Sequence, residues 1–207
     1  MSMARSKSEI FQLFKEEHVS DGYRWRAYWA DYWMQQIKML KIKGWYVVPC
    51  AQNSKSPEAG YPWTDNHLGE REMLYAAGAG QNLAVVMGAS NLVVLDYDQK
   101  LDLDAMGALR KGEPQTLTLI TPKGFQLWTR APSNMKEVQM AASVLKRKGF
   151  ESVRFGNQYA LVPLSQTCAG PEHLKGGCGD DHDWRIREWV DDQAQVLPFR
   201  EVLEALV

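Results

Sequence analysis

The sequence holds 207 residues, 45% of them hydrophobic and 24% charged, with a formal net charge of -1. That length and apolar fraction suit one buried core and a single domain spanning 1–207; the charge excludes a globally basic nucleic-acid coat but not a local phosphate patch, because screening limits the reach of charge to about 10 Å. Three cysteines are too few for a disulfide-stapled secreted scaffold and no stretch approaches the roughly 20 apolar residues that cross a bilayer, so the expectation is a soluble, cytoplasmic protein with no membrane partner.

An N-terminal helical part is expected over about 1–43. Residues 7–20 read as one helix, and from Trp25 the spacing Trp25, Tyr28, Trp29, Tyr32, Trp33, Ile37, Leu40 keeps an apolar stripe on one helical face until Gly44 stops it. Stripes at helical spacing usually bury themselves, so this one is read as packing surface rather than a base-stacking platform. The part from 44 to 207 turns β-rich, with strands predicted over Trp45–Pro49, Asn82–Met87, Asn91–Tyr97, Thr116–Thr121, Phe125–Arg130, Glu151–Phe155, Tyr159–Pro163 and Trp184–Trp189. Helices are predicted over 69–77, over 134–148 with Lys146-Arg147-Lys148 and Gly149 at its end, and from Pro198 to Leu206. Residues 166–183, rich in Gly, Cys, His and Asp, read as a loop. Strands interleaved with helices in blocks, not in strict alternation, predict an α+β fold built on mixed or antiparallel sheet with packed helices.

The most informative run is Asn91-Leu92-Val93-Val94-Leu95-Asp96-Tyr97-Asp98. Alternation along a strand sends Asp96 and Asp98 to the same face, and two carboxylates so placed suit Mg2+ or Mn2+, which take one or two carboxylates and complete their shell with substrate phosphates. A strand end entering a solvated turn is the plain alternative. Asp102 and Asp104 open a predicted helix, where residues two apart do not face each other, and are read as structural. No Gly-x4-Gly-Lys-Ser/Thr run exists, which excludes that phosphate loop.

Within the loop, Cys168, His173, Cys178 and His182 place four soft or borderline ligands in fifteen residues, a spacing that suits structural zinc. Incidental cysteines, or a Cys168–Cys178 disulfide, are the alternatives. Lys38, Lys41 and Lys43, with Lys146 to Lys148, are candidates for backbone contact with nucleic acid, or else solubilising helix faces.

Taken together, Gly44-Trp45-Tyr46-Val47-Val48-Pro49, Lys55-Ser56-Pro57, Asn82 to Gly88, Val93 to Asp98, Pro114-Gln115-Thr116, Thr121-Pro122-Lys123-Gly124, Val153-Arg154 and Tyr159 to Ser165 resemble the primase-polymerase domain of the archaeo-eukaryotic primase superfamily, in order and spacing over roughly residues 35 to 206. The resemblance implies an RRM-like catalytic half and a two-metal nucleotidyltransferase. In that family two acids at a strand end and a third on a later strand hold the metals, and a histidine after the T-P-x-G turn contacts phosphates. Asp96 and Asp98 match the first two roles. Gln126 stands at the histidine position, and Ser152, with Glu151 beside it, where the third acid is expected. Some members carry a zinc-bearing stem where the Cys/His loop lies.

The expected function is therefore a DNA primase/polymerase, with Asp96 and Asp98 binding Mg2+ or Mn2+, Glu151 a possible third metal ligand, and Lys123, Gln126, Ser152 and Arg154 lining the nucleotide. Implied partners are a DNA template and primer, a dNTP or NTP, and a helicase in cis or trans; such domains often serve a plasmid, virus or other mobile element. Serine is a poor metal ligand, and glutamine donates a hydrogen bond but carries no charge. Those departures motivate a rival expectation, a catalytically impaired replication module that binds single-stranded DNA or nucleotide. A metal-dependent phosphoesterase using the same acids is a third.

Overall fold

The computed structural model describes residues 34–51, 54–62, 66–79, 81–98, 116–121, 123–163, 165–168, 184–190 and 193–207. The aromatic stripe from Trp25 to Trp33, the pair Asp102 and Asp104, and His173, Cys178 and His182 lie outside these residues. The fold is α+β. Its described elements are helix α1 (34–42), β1 (Val47–Cys50), α2 (Glu70–Gly78), β2 (Asn82–Val86), β3 (Leu92–Tyr97), β4 (Thr118–Ile120), β5 (Phe125–Arg130), α3 (Met135–Arg147), β6 (Ser152–Arg154), β7 (Tyr159–Leu161), β8 (Gln166–Cys168), β9 (Trp184–Ile186), β10 (Glu188–Trp189) and α4 (Phe199–Leu206). The strands form three sheets, ordered β1-β2-β7, β10-β4-β5-β3-β6 and β8-β9. Contacts gather the described residues into two compact units, one of residues up to Val85 with Leu161–Glu188, the other of Val86–Ala160 with Trp189–Val207. No helix among the described residues is long and apolar enough to cross a membrane.

In the first unit, α1 stops where expected: Gly44 sits at φ 66°, and the N–H groups of Lys43, Gly44 and Trp45 close on the carbonyls of Met39, Lys41 and Leu40. β1 pairs antiparallel with β2, Val47 opposite Val85 and Pro49 opposite Leu83. Proline is tolerated there because Leu83 turns its polar groups to the other edge, where its carbonyl accepts from Val162 N–H at 3.0 Å and its N–H donates to Ser165 Oγ at 2.9 Å. The Ser165 hydroxyl in turn donates to the same Leu83 carbonyl at 2.8 Å. α2 starts with Glu72 accepting the Gly69 N–H at 2.7 Å.

The predicted loop over 166–183 needs correcting at its start. Gln166–Cys168 is a strand, paired antiparallel with β9 in a register that sets Cys168 opposite Trp184. The predicted strand Trp184–Trp189 is likewise split, into β9 and β10 at Arg187.

The second unit positions the site. Its five-stranded sheet alternates strictly, and one face packs Val93 and Leu95 of β3, Phe125 and Leu127 of β5, and Val153 of β6 against Val138, Ala141 and Leu145 of α3 and Phe199 and Val202 of α4. Tyr97 stacks on Phe125 at 4.8 Å between ring centroids and meets Phe150 edge-on at 5.6 Å. α3 is capped by Asn134, whose side chain accepts the Lys136 N–H at 3.1 Å, and its basic last turn leads to Gly149 at φ 95°. Because these helices claim the odd-numbered side chains of β3, the even-numbered ones, Asp96 among them, go to the opposite face.

Candidate functional site

Asp96 sits at the crossing of three strands. It is directly opposite Gln126 of β5 and Ser152 of β6, and Leu119 of β4 is opposite Gln126, so Leu119, Gln126, Asp96 and Ser152 form one row across the sheet. Directly paired residues share a face. The sequence-predicted residues Asp96, Gln126 and Ser152 are thus brought together by register alone.

The contacts within the row are specific. Asp96 Oδ1 accepts from Gln126 Nε2 at 3.2 Å, and Oδ2 accepts from Arg154 Nη2 at 2.7 Å and from Arg154 Nε at 3.1 Å. Arg154 is opposite Val94, two residues along β6 from Ser152, which sets its side chain on the same face and diagonal to Asp96. Its Nη1 donates to the Tyr159 carbonyl at 3.4 Å. Burying a carboxylate is costly unless it is paired and hydrogen-bonded, and this one, only 5% exposed at the side chain, is both.

The structure corrects where Asp96 lies. Sequence alternation placed it projecting from a strand end; it is instead inside β3, flanked by β5 and β6, and buried. Asp98, one residue past β3, is half-buried. Glu151, a candidate third metal ligand, is exposed; its N–H donates to the Asp96 carbonyl at 2.9 Å, one residue out of step with the Ser152 position. Among the described residues no group of three or more His, Cys, Asp or Glu is placed to hold one ion.

Gln126 carries a signal the sequence could not supply. With its Nε2 donating to Asp96, its Oε1 is buried and without a hydrogen-bond partner. The atom it leaves over is an acceptor, which suits a hydroxyl, a water or a cation better than a phosphate oxygen. Asp96, Asp98 and this amide oxygen are hard donors of the type Mg2+ or Mn2+ takes when water and substrate phosphates complete the shell. By donor chemistry these oxygens match such an ion, although both Asp96 oxygens already accept hydrogen bonds.

Lys123 is half-buried in the turn Thr121–Gly124, which closes through Thr121 N–H to the Gly124 carbonyl and Gly124 N–H to Thr121 Oγ1, both 3.0 Å. Gly124 is obligatory for packing: an added Cβ would lie 1.8 Å from the Tyr97 carbonyl oxygen and 3.3 Å from Asp98 Cα. The turn bearing Lys123 is thereby seated against the backbone that carries Asp98.

The remaining candidates are elsewhere. Lys41 forms a 2.7 Å ion pair with Glu70, and Lys43 lies 5.8 Å over the Trp45 ring. Lys146, Arg147 and Lys148 are exposed at the end of α3. Cys50 is a buried free thiol, with burial pushing its pKa up to about 12 against the opposing pull of Arg187.

The family model described as bifunctional DNA primase/polymerase, N-terminal, matches residues 37–200. No curated protein matches the chain.

Proposed function

The chain belongs to the bifunctional DNA primase/polymerase family, and from that premise we propose that it is a nucleotidyltransferase joining the α-phosphate of a nucleoside triphosphate to a primer 3'-hydroxyl, or to a second nucleotide when a strand is started. Membership carries a function of the primase/polymerase type, with nucleic acid and nucleotide as substrates and divalent metal in general use. The finer assignment rests on one observation: Gln126, Asp96 and Ser152 share a single row across three strands, with Arg154 beside them.

When bound, Mg2+ or Mn2+ would neutralise phosphate charge and favour ionisation of the attacking hydroxyl. In this proposal Asp96 and Asp98 hold that ion, with Gln126 Oε1 an added oxygen donor and Glu151 a more distant candidate. Arg154 and Lys123 take the triphosphate, Arg154 through a planar fork that matches phosphate oxygens and Lys123 as a point charge. Ser152 leaves room on the β6 side. Cys168, His173, Cys178 and His182 hold structural zinc, a proposal supported by the Cys168–Trp184 pairing at the base of that segment. Service to a plasmid, virus or other mobile element, with a helicase in cis or trans and in the cytoplasm, belongs to the same proposal.

Primed template, dNTPs and manganese test it. Extension is expected, and replacing Asp96 and Asp98 with asparagine should abolish it. No extension by the wild-type protein under any divalent metal sinks the enzyme.

A second function is favoured by a specific observation, the serine opposite Asp96 where a carboxylate would serve catalysis. It is a replication module that binds single-stranded DNA without polymerising. Its DNA affinity would be unchanged by Asp96→Ala and Asp98→Ala.

A further inference from the structure

The Asp96–Arg154 pair is asymmetric in its exposure. The carboxylate side chain is 5% exposed and the arginine side chain 32%, so of the two partners the arginine is the one open to solvent. That guanidinium is held at three points: Nη2 and Nε donate to Asp96 Oδ2, and Nη1 donates to the Tyr159 carbonyl. Asp96 is itself pinned through Oδ1 by Gln126. Arginine carries five N–H donors, so one on Nη1 and one on Nη2 stay uncommitted in these contacts. Ser152, directly across from Asp96, is short and uncharged, and does not compete for the guanidinium as an acid there would. A planar cation fixed by a buried carboxylate, with donors left over, is a phosphate receptor whose ordering cost is already met.

We propose that Asp96 is the positioning residue of Arg154, and that the pair anchors the triphosphate of a nucleotide without any divalent ion. The inference rests on the nucleotide substrate class proposed above but not on its metal. It also inverts the expected effect of neutralising Asp96. By charge alone, removing a carboxylate beside a phosphate site strengthens binding; if the carboxylate orients the arginine, binding weakens instead.

The experiment is calorimetric binding of dATP to the full chain, first in EDTA and then with manganese. Wild-type protein is expected to bind dATP in EDTA. Asp96→Asn and Arg154→Ala should each weaken that binding by about tenfold or more, the scale of lost hydrogen bonds to a charged group. Millimolar guanidinium should restore binding to Arg154→Ala, but not to the double variant, which has no carboxylate to seat it. A merely structural role for Asp96 gives no such dependence. Arg154→Lys keeps the charge without the fork and covers the case in which Asp96→Asn does not fold; it too should bind more weakly in EDTA. Wild-type binding seen only with manganese overturns this inference and leaves the nucleotide proposal intact. So does unchanged or tighter binding by Asp96→Asn in EDTA. No binding under either condition removes both.

Discussion

Gly124→Ala tests how tightly the Lys123 turn is seated on the strand that carries the acids. Gly124 has no left-handed φ, so the cost of a methyl group is contact, not backbone conformation. The new Cβ would stand 1.8 Å from the Tyr97 carbonyl oxygen, against the 3.0 Å below which such contacts are essentially never seen, so β3 and the turn must part by more than 1 Å. Overpacking of this type costs about 1–3 kcal/mol. The two 3.0 Å bonds between Thr121 and Gly124 would be strained or lost, at about 0.5–1.5 kcal/mol each. The sum is about 2–6 kcal/mol. With a urea dependence of about 2 kcal/mol per molar, the unfolding midpoint should fall by about 1–3 M at unchanged slope. Gly60→Ala is the control: Gly60 has φ 80° and nothing within 4 Å of the added Cβ, so only the conformational cost of about 1–2 kcal/mol applies. A Gly124→Ala midpoint within about 0.3 M of wild type would refute the packing argument.

Three further outcomes are expected. Ser165→Ala removes the hydroxyl that satisfies Leu83 N–H, and should destabilise by about 1–3 kcal/mol in the same urea assay, since the Leu83 carbonyl keeps Val162 while its N–H is left alone. Cys50 should resist iodoacetamide at pH 8.5 in the native protein and react on unfolding, as peptide mapping would read. Burial raises its pKa from the ordinary 9.0 to about 12, so between those pH values the unfolded chain binds fewer protons and stability should fall with rising pH, by up to about 1.4 kcal/mol per pH unit; a flat profile there contradicts a buried thiol. Ser152→Asp sets a second carboxylate opposite Asp96, and should raise manganese-supported extension while weakening dATP binding in EDTA; no change in either would remove Ser152 from the site.

Much of the second unit was legible because its signals are local. The run Val93-Val94-Leu95 bounded by carboxylates predicts β3, and Phe125–Arg130 is found with its predicted bounds. The Asn134 cap and the basic end of α3 fix that helix to within a residue of the expected 134–148. β8 was not legible: Gln-Thr-Cys has no apolar alternation, and only pairing with Trp184–Ile186 makes it a strand. The burial of Asp96 was missed for a related reason. Two carboxylates after an apolar run look like an exposed strand end, and only β5 and β6 closing on both sides take the first of them out of water.

The contact between Arg154 and Asp96 spans 58 residues, and no local pattern encodes it. A resemblance read along the sequence does not say how charges distant in the chain pair in space. A buried carboxylate needs a cation, and Arg154, diagonal across β6, supplies it at 2.7 Å. Two side chains therefore act on one carboxylate from opposite sides. Glutamine holds Oδ1 and arginine holds Oδ2, so any ion that binds Asp96 must share its oxygens with both. Catalysis on this reading depends on Asp96 lending its oxygens to an ion while Gln126 and Arg154 still hold them.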